Sequence, residues 1–363
     1  MSPWDFSHGD KIIFWRNILV KVMNTRIVDF NDKKMFYKCV EEIRNDGVVV
    51  FPTETVYGVG ANALSKNGVS NIFKIKNRGK DNPLIVHVCD YDVSKYVENV
   101  SEDSMKLIEK FWPGPLTIIF KKKSIIPNET TSFRDSVGIR MPNNNIALEF
   151  IKNCECPIAA PSANISGRPS GTNAKRCFED LNGRVKFIID GFDSQIGLES
   201  TVISMINDEA IILRPGYVNL DEIKKILPKA SMYSKINEKF FGSNPISPGL
   251  KYKHYAPKCK MVIAKGDKFE ILNYVKNFCR DYKCVGILCT ENNFDFYKSS
   301  NHNLKVVGVG NDFEDIGKNL FESIRKFDDL NCDFVISEMF YDDFSNAVMN
   351  RLLRAASYNV ITL

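Results

Sequence analysis

Four stretches hold the side chains best able to do chemistry. They are Pro52-Thr53-Glu54-Thr55-Val56-Tyr57-Gly58, Lys76-Asn77-Arg78-Gly79-Lys80-Asp81-Asn82-Pro83, Ala160-Pro161-Ser162-Ala163-Asn164-Ile165-Ser166-Gly167-Arg168-Pro169-Ser170, and Gly197-Leu198-Glu199-Ser200-Thr201 with Leu213-Arg214-Pro215-Gly216. All share a composition of small hydroxyls, glycine, asparagine and cationic side chains beside apolar runs. Hydroxyls and open backbone N–H groups can cradle an anion without a Walker lysine. Arginines add paired donors for a carboxylate or phosphate. Together the four suit a pocket for a polyanionic ligand and a small polar one. Each also has a plainer reading. Thr53 and Thr55 alone read as strand-end caps, the Lys76–Lys80 run as a solvated turn, and Ser162 and Asn164 as helix caps. Glu199 reads equally well as structural. His87, on an apolar run, is by default a satisfied core histidine.

The missing motifs narrow the chemistry. There is no G-x-S-x-G, no H-E-x-x-H and no G-x-x-x-x-G-K-[ST]. A covalent nucleophile or a protein-held zinc is not expected, and the metal-ligand set is read as none. Catalysis here would rest on positioning and electrostatic stabilisation.

The elements that must position these residues follow from periodicity. Met35, Phe36, Cys39, Val40 and Ile43 have helical spacing, and Gly47 stops that helix. The pattern predicts helices over 31–45, 68–76, 103–111, 146–152 and 173–181. Strands are predicted at 48–51, 84–88, 116–120, 137–141, 157–160, 187–189, 201–205 and 210–213. Residues 52–63 read as a loop after the first of these. Crossovers mixed with hairpins imply a mixed, twisted sheet with helices packed on it. Residues 230–258, rich in turn formers, read as a linker. Beyond it, strands at 261–264, 285–289, 305–309, 334–337 and 360–363 alternate with helices at 269–282, 313–327 and 344–357. That alternation predicts a smaller, Rossmann-like parallel α/β domain. Its Gly308-Val309-Gly310 lacks the third glycine of a dinucleotide loop.

The 363 residues suffice for two domains, and 44% hydrophobic with 26% charged residues suits a globular chain. No apolar run approaches the roughly 20 residues of a membrane span, so no membrane role is expected. Ten cysteines without paired spacing point to reduced thiols in a cytoplasmic protein. Residues 260–363 carry 13 Lys+Arg and 15 Asp+Glu, against 36 and 29 in residues 1–259. The basic first part suits an anionic ligand, a nucleotide or RNA, and equally ordinary solubility.

Several ordered motifs then resemble one family. PTETVYGVGANA at 52–63, KNRGKDNPLIVHV at 76–88, FWPGPLT at 111–117, IRMP at 139–142, PIAAPSANISG at 157–167, IGLESTV at 196–202, ILRPG at 212–216 and SPGLKYKHYAP at 247–257 look like the threonylcarbamoyl-AMP synthase family in its long, two-domain form. The resemblance implies an N-terminal extension at 1–22, a YrdC-like catalytic domain at 23–229, a linker over the active site at 230–258 and a C-terminal α/β domain at 259–363. It implies a reaction in which ATP, L-threonine and bicarbonate give threonylcarbamoyl-AMP and pyrophosphate. A downstream transferase would then modify the tRNA adenosine next to the anticodon.

By the same resemblance Lys76, Arg78, Ser162 and Asn164 are the catalytic set. The ATP side comprises Arg78, Asn82, Ser136, Ala160, Ser162, Ser170, Arg214 and Tyr255. The threonine side comprises Thr53, Thr55, His87, Arg140 and Ser200, with Arg140 facing the carboxylate. Mg²⁺ would be held mainly by phosphate oxygens. PTETVYG would form a wall of the threonine pocket, and the linker a lid over the active-site mouth that gates ATP entry. One departure stands out: Gly79 occupies the place of the family's proline and loosens that turn. The rival readings are an RNA-binding or ribosome-associated module making weak RNA contact, and a carbamoyl-adenylate-forming relative. The first lacks aromatic RNA motifs, and the second would carry acylphosphatase-like and zinc-finger segments that this chain lacks.

Overall fold

The structure is a computed structural model that describes residues 12–15, 18–21, 23–238, 254–278, 282–300 and 304–363. The predicted linker therefore falls partly outside the described residues, at 239–253. Within the predicted extension, β1 (Ile12–Trp15) and β2 (Ile18–Lys21) pair as an antiparallel hairpin of their own.

The body of the first domain is an 11-stranded sheet. Its strands in chain order are β3 (Arg26–Asp29), β4 (Val49–Phe51), β5 (Gly58–Asn62), β6 (Ile85–His87), β7 (Leu116–Lys121), β8 (Ser136–Arg140), β9 (Ile158–Ala159), β10 (Phe187–Asp190), β11 (Thr201–Ser204), β12 (Ile211–Arg214) and β13 (Ser231–Met232). Their order across the sheet is β13-β12-β11-β7-β8-β6-β9-β5-β4-β10-β3, with parallel and antiparallel pairs mixed. Helices α1 (Lys33–Arg44), α2 (Lys66–Lys76), α3 (Glu102–Phe111), α4 (Asn128–Thr131), α5 (Asn145–Cys154), α6 (Ala174–Leu181) and α7 (Leu220–Lys224) connect them. Phe36 and Ile43 of α1 and Phe150 and Ile151 of α5 meet Val49, Phe51, Ile158 and Ile189 in one core layer. A larger layer gathers Ile72, Leu107, Ile118, Ile139, Ile188 and Ile203. Side-chain oxygens of Asp32, Ser65, Ser101, Asn144 and Asn173 cap α1, α2, α3, α5 and α6.

Residues 58–62, expected as loop, form β5. Strand pairing there needs small residues: a Cβ on Gly60 would sit 2.5 Å from Ile158 Cγ2 and 2.7 Å from Phe51 Cε1.

The second domain is an all-parallel five-stranded sheet, β14 (Lys260–Lys265), β15 (Val285–Cys289), β16 (Leu304–Gly308), β17 (Phe334–Glu338) and β18 (Val360–Thr362), ordered β16-β15-β17-β14-β18. Helices α8 (Lys268–Phe278), α9 (Glu291–Ser300), α10 (Phe313–Asp329) and α11 (Ala347–Ala355) alternate with them. Its core extends into the first domain: Val56, Leu198 and Tyr255 pack in one cluster with Ile316, Leu320 and Phe321. Ion pairs reinforce the seam. Arg325 donates to Asp180 Oδ2 at 2.7 Å, and Arg176 reaches Glu322 at 2.7 Å and Asp329 at 2.6 Å.

At the seam Gly197, whose φ is +74°, packs against the backbone of α10. A Cβ there would lie 2.4 Å from the Lys318 carbonyl oxygen and 2.6 Å from its Cα. Backbone cannot yield as a flexible side chain can. Gly197→Ala therefore combines left-handed strain with overpacking and is expected to cost about 2–4 kcal/mol. Thermal unfolding of the full chain checks this; an unchanged midpoint contradicts it.

Candidate active site

A cleft of about 670 Å³ lies across one face of the large sheet. Ile85 and His87 of β6, two residues apart, both line it, as the twofold repeat of a strand allows. Arg140 pairs with His87 in register across β8. Around them stand the Thr53–Gly58 loop, Arg78, Ala160, Ser162, Asn164, Glu199, Ser200 and Arg214. His254 and Tyr255, from the described end of the linker, close another side. The linker thus contributes wall residues.

Arg140 is buried, 3% exposed. Its Nη1 donates to Thr55 Oγ1 at 2.8 Å and its Nε to the Gly114 carbonyl at 3.0 Å. Nη2 lies 2.6 Å from Glu54 Oε1, a buried ion pair. Thr53 Oγ1 meets Thr55 Oγ1 at 2.9 Å and donates to the Val56 carbonyl at 2.6 Å. The hydroxyls of PTETV therefore brace one another and the arginine that faces the cleft.

On the opposite side, Ser200 Oγ lies 2.8 Å from Thr117 Oγ1 and accepts from Arg214 Nη2 at 3.1 Å. Arg214 Nε and Nη2 donate to the Ser200 carbonyl at 3.1 and 2.9 Å. Burial, with Arg351 next, lowers the Arg214 guanidinium to about 10. Ser162 Oγ donates to Asn164 Oδ1 at 2.5 Å, and Asn164 Nδ2 reaches the carbonyls of Ile165 and Arg168, both at 2.9 Å. Arg78 curls over its own turn, donating to the carbonyls of Asn82 at 3.3 Å and Pro83 at 3.2 Å.

Four of the residues expected from sequence stand outside the cleft wall. Lys76, at the end of α2, is 1% exposed and directs Nζ into the Ser162 carbonyl and, at 2.5 Å, the Asn164 carbonyl. Burial, with Arg78 next, holds its ammonium well below the ordinary lysine range. Here it organises the Ser162–Asn164 loop in place of facing the cleft. Ser170 is buried and donates to Glu199 Oε1 at 2.7 Å. Asn82 is buried in the 79–83 turn. Ser136 lies on β8 four residues before Arg140 and lines an adjoining pocket of about 350 Å³ that shares Pro83 and Ile85 with the cleft.

Glu54, His254 and Arg351 were assigned no role from the sequence, and Glu199 stood equally between a structural and a functional reading. Glu54 and His254 sit inside quoted motifs, beside residues that were assigned. Arg351 carries no local signal, because its partner Glu199 is 152 residues away.

His87 is 5% exposed, and burial, with Arg140 next, lowers its imidazole to about 3. It is neutral near pH 7. An unfolded histidine titrates near 6.5, so between about 6.5 and 3 the unfolded chain binds the extra proton. Its contribution to stability is complete above pH 6.5 and is lost as pH falls, at roughly 1.4 kcal/mol per pH unit. His87→Gln is expected to flatten the acid limb of the stability profile, measured by urea unfolding from pH 7 to 4. A limb of unchanged slope contradicts this.

Comparison with known proteins bears on what such a cleft does. The family model described as "Telomere recombination", covering Sua5, YciO and YrdC proteins, matches residues 41–216. A second, "Threonylcarbamoyl-AMP synthase, C-terminal domain", matches residues 218–357. The threonylcarbamoyl-AMP synthase of Pyrococcus abyssi is 38% identical over 325 residues, 88% of this chain and 93% of that protein. That of Bacillus subtilis is 38% identical over 322 residues, 88% and 92% of the two. The chain belongs to the threonylcarbamoyl-AMP synthase family.

A crystal structure of Pyrococcus abyssi Sua5 complexed with L-threonine superposes with a TM-score of 0.85 at 36% identity, covering 94% of this chain and 98% of that one. Likeness to this family therefore spans both domains. Family membership makes the protein an enzyme. Among the described residues, no helix is long and apolar enough to cross a membrane.

Proposed function

We propose that this protein is an L-threonylcarbamoyladenylate synthase, a nucleotidyltransferase that joins ATP, L-threonine and bicarbonate and releases pyrophosphate. The observation that carries the reading is the full-length likeness to a Sua5 structure complexed with L-threonine, set on a cleft walled by buried hydroxyls and arginines. In this reading the threonine amine attacks the carbon of bicarbonate with loss of water, giving a carbamate. A carbamate oxygen then attacks the α-phosphorus of ATP, and the bond to pyrophosphate breaks.

Arg140 faces the threonine carboxylate, with Thr53, Thr55, His87 and Ser200 around it. Neutral His87 adds a polar ring without a competing charge. Arg78, Arg214, Ser162, Asn164, Ala160 and Tyr255 take the nucleotide, which extends toward Ser136 across the shared Pro83–Ile85 wall. Lys76, Asn82 and Ser170 act from behind the wall. Developing negative charge meets fixed donors in a buried setting, where they count most. Among the described residues no three His, Cys, Asp or Glu converge on a metal position. In this reading a Mg²⁺ ion accompanies the triphosphate, held by its oxygens and water, where it would neutralise phosphate charge.

In this reading the product serves a downstream transferase that modifies the tRNA adenosine next to the anticodon, and the enzyme works in the cytoplasm. Pyrophosphate release by the purified chain with ATP and Mg²⁺ tests the reading. Release is expected only when threonine and bicarbonate are both present; release indifferent to threonine contradicts it.

A further inference from the structure

The second domain places a guanidinium directly behind the cleft wall, on Glu199. Arg351, on α11, is 1% exposed. Its Nε donates to Glu199 Oε2 at 3.0 Å, its Nη1 to the Pro215 carbonyl at 2.6 Å and its Nη2 to the Glu199 carbonyl at 3.3 Å. These acceptors immediately precede Ser200 and follow Arg214, the two residues that clasp each other at the cleft. Glu199 itself lines the cleft, with its other oxygen taken by Ser170. Burial raises the Glu199 carboxyl, but Arg351, then Arg214 and the Ser170 hydroxyl, outweigh it and hold the group below the usual carboxylate range. Tyr255 and Arg354 also feel this carboxylate. One carboxylate thus lies in the field of three guanidiniums, of which only Arg214 belongs to the catalytic domain.

We propose that Arg351 is a positioning residue for the nucleotide side of the cleft: by saturating Glu199 and the Pro215 carbonyl it fixes both segments and leaves the Arg214 charge to an anionic ligand. This gives the second domain a part in ligand binding, and it rests on the nucleotide reading above. Without Arg351, Glu199 is a buried carboxylate on which Arg214 is the strongest remaining guanidinium influence. Arg214 then turns to Glu199 and opposes binding of a second anion.

Titration of ATP·Mg²⁺ into the full chain, alongside KM and kcat, tests the idea. Arg351→Met is expected to weaken ATP binding and raise its KM by about tenfold, the size of one charge-assisted contact, with a smaller effect on kcat. Adding Glu199→Gln removes the charge that traps Arg214. The double variant is expected to recover most of the lost ATP affinity, a recovery that a purely structural role for Arg351 would not give. Should Arg351→Met fail to fold, Arg351→Gln, which can still donate to the Pro215 carbonyl, is read in its place with the same expectations. A folded single variant with unchanged ATP affinity overturns the inference, as does a double variant no better than the single. A wild-type chain that binds no ATP overturns the nucleotide reading and this inference with it, and the wild-type titration alone tells that case apart.

Discussion

Replacing Arg140 by alanine is expected to reduce threonine-dependent pyrophosphate release by roughly a thousandfold and to lower stability by about 3–5 kcal/mol. Two consequences combine. The cleft loses the guanidinium assigned to the substrate carboxylate. Glu54, 3% exposed, loses the cation 2.6 Å away and becomes a buried, uncompensated charge. Arg140→Lys separates the two. A lysine keeps a charge near Glu54 but cannot reproduce the fork that meets Thr55 and the Gly114 carbonyl together. Its stability should approach wild type while kcat/KM stays low. Steady-state kinetics and chemical unfolding on the three proteins check this. An Arg140→Ala protein that keeps most of its kcat/KM contradicts the assignment.

Lys76→Met is expected to act without touching the ligand. The ammonium bridges the carbonyls of Ser162 and Asn164, and its loss strips the buried Asn164 carbonyl of that donor, while the Ser162 carbonyl keeps the Asn164 N–H at 3.0 Å. That costs about 1–3 kcal/mol at the usual value for an orphaned polar group. The 162–168 loop then relaxes, and a shift on the order of 1 Å at Ser162 and Asn164 lowers kcat/KM by about a hundredfold. Because the lysine binds backbone, Lys76→Arg should not rescue: its larger head does not fit a site 1% exposed. Kinetics with melting curves measure both effects. A stable Lys76→Met protein with a selective loss of ATP affinity would instead return this lysine to direct phosphate contact.

Much of this architecture was legible from the chain. The amphipathic spacing of residues 33–44 and the apolar runs at β4, β7 and β10 fixed the elements around the cleft, because their burial is periodic. β5 was hidden because Gly58 and Gly60 carry no strand propensity; their value lies in letting Phe51 and Ile158 come close. β3 was hidden as an edge strand whose Ile27 remains 46% exposed. α9 was missed because Phe294, Phe296 and Tyr297 fall too close together for a helical stripe, and only Tyr297 is buried in the helix. Hydroxyl and arginine motifs announced a polar cleft because such residues rarely cluster beside buried strands without a use. Their pairings were silent. Glu54 meets Arg140 and Glu199 meets Arg351 across distances in sequence that no local pattern spans. For the same reason the resemblance placed Lys76 in the catalytic set without showing that its ammonium meets two carbonyls 86 and 88 residues away.

Whether one cleft joins three substrates is decided by supplying ¹³C-bicarbonate, L-threonine, ATP and Mg²⁺ to the purified chain and reading the nucleotide products by mass spectrometry. The expected product is an adenylate that carries both threonine and one labelled carbon, formed in step with pyrophosphate. AMP or pyrophosphate appearing without that adduct, or an adduct lacking the label, would contradict this.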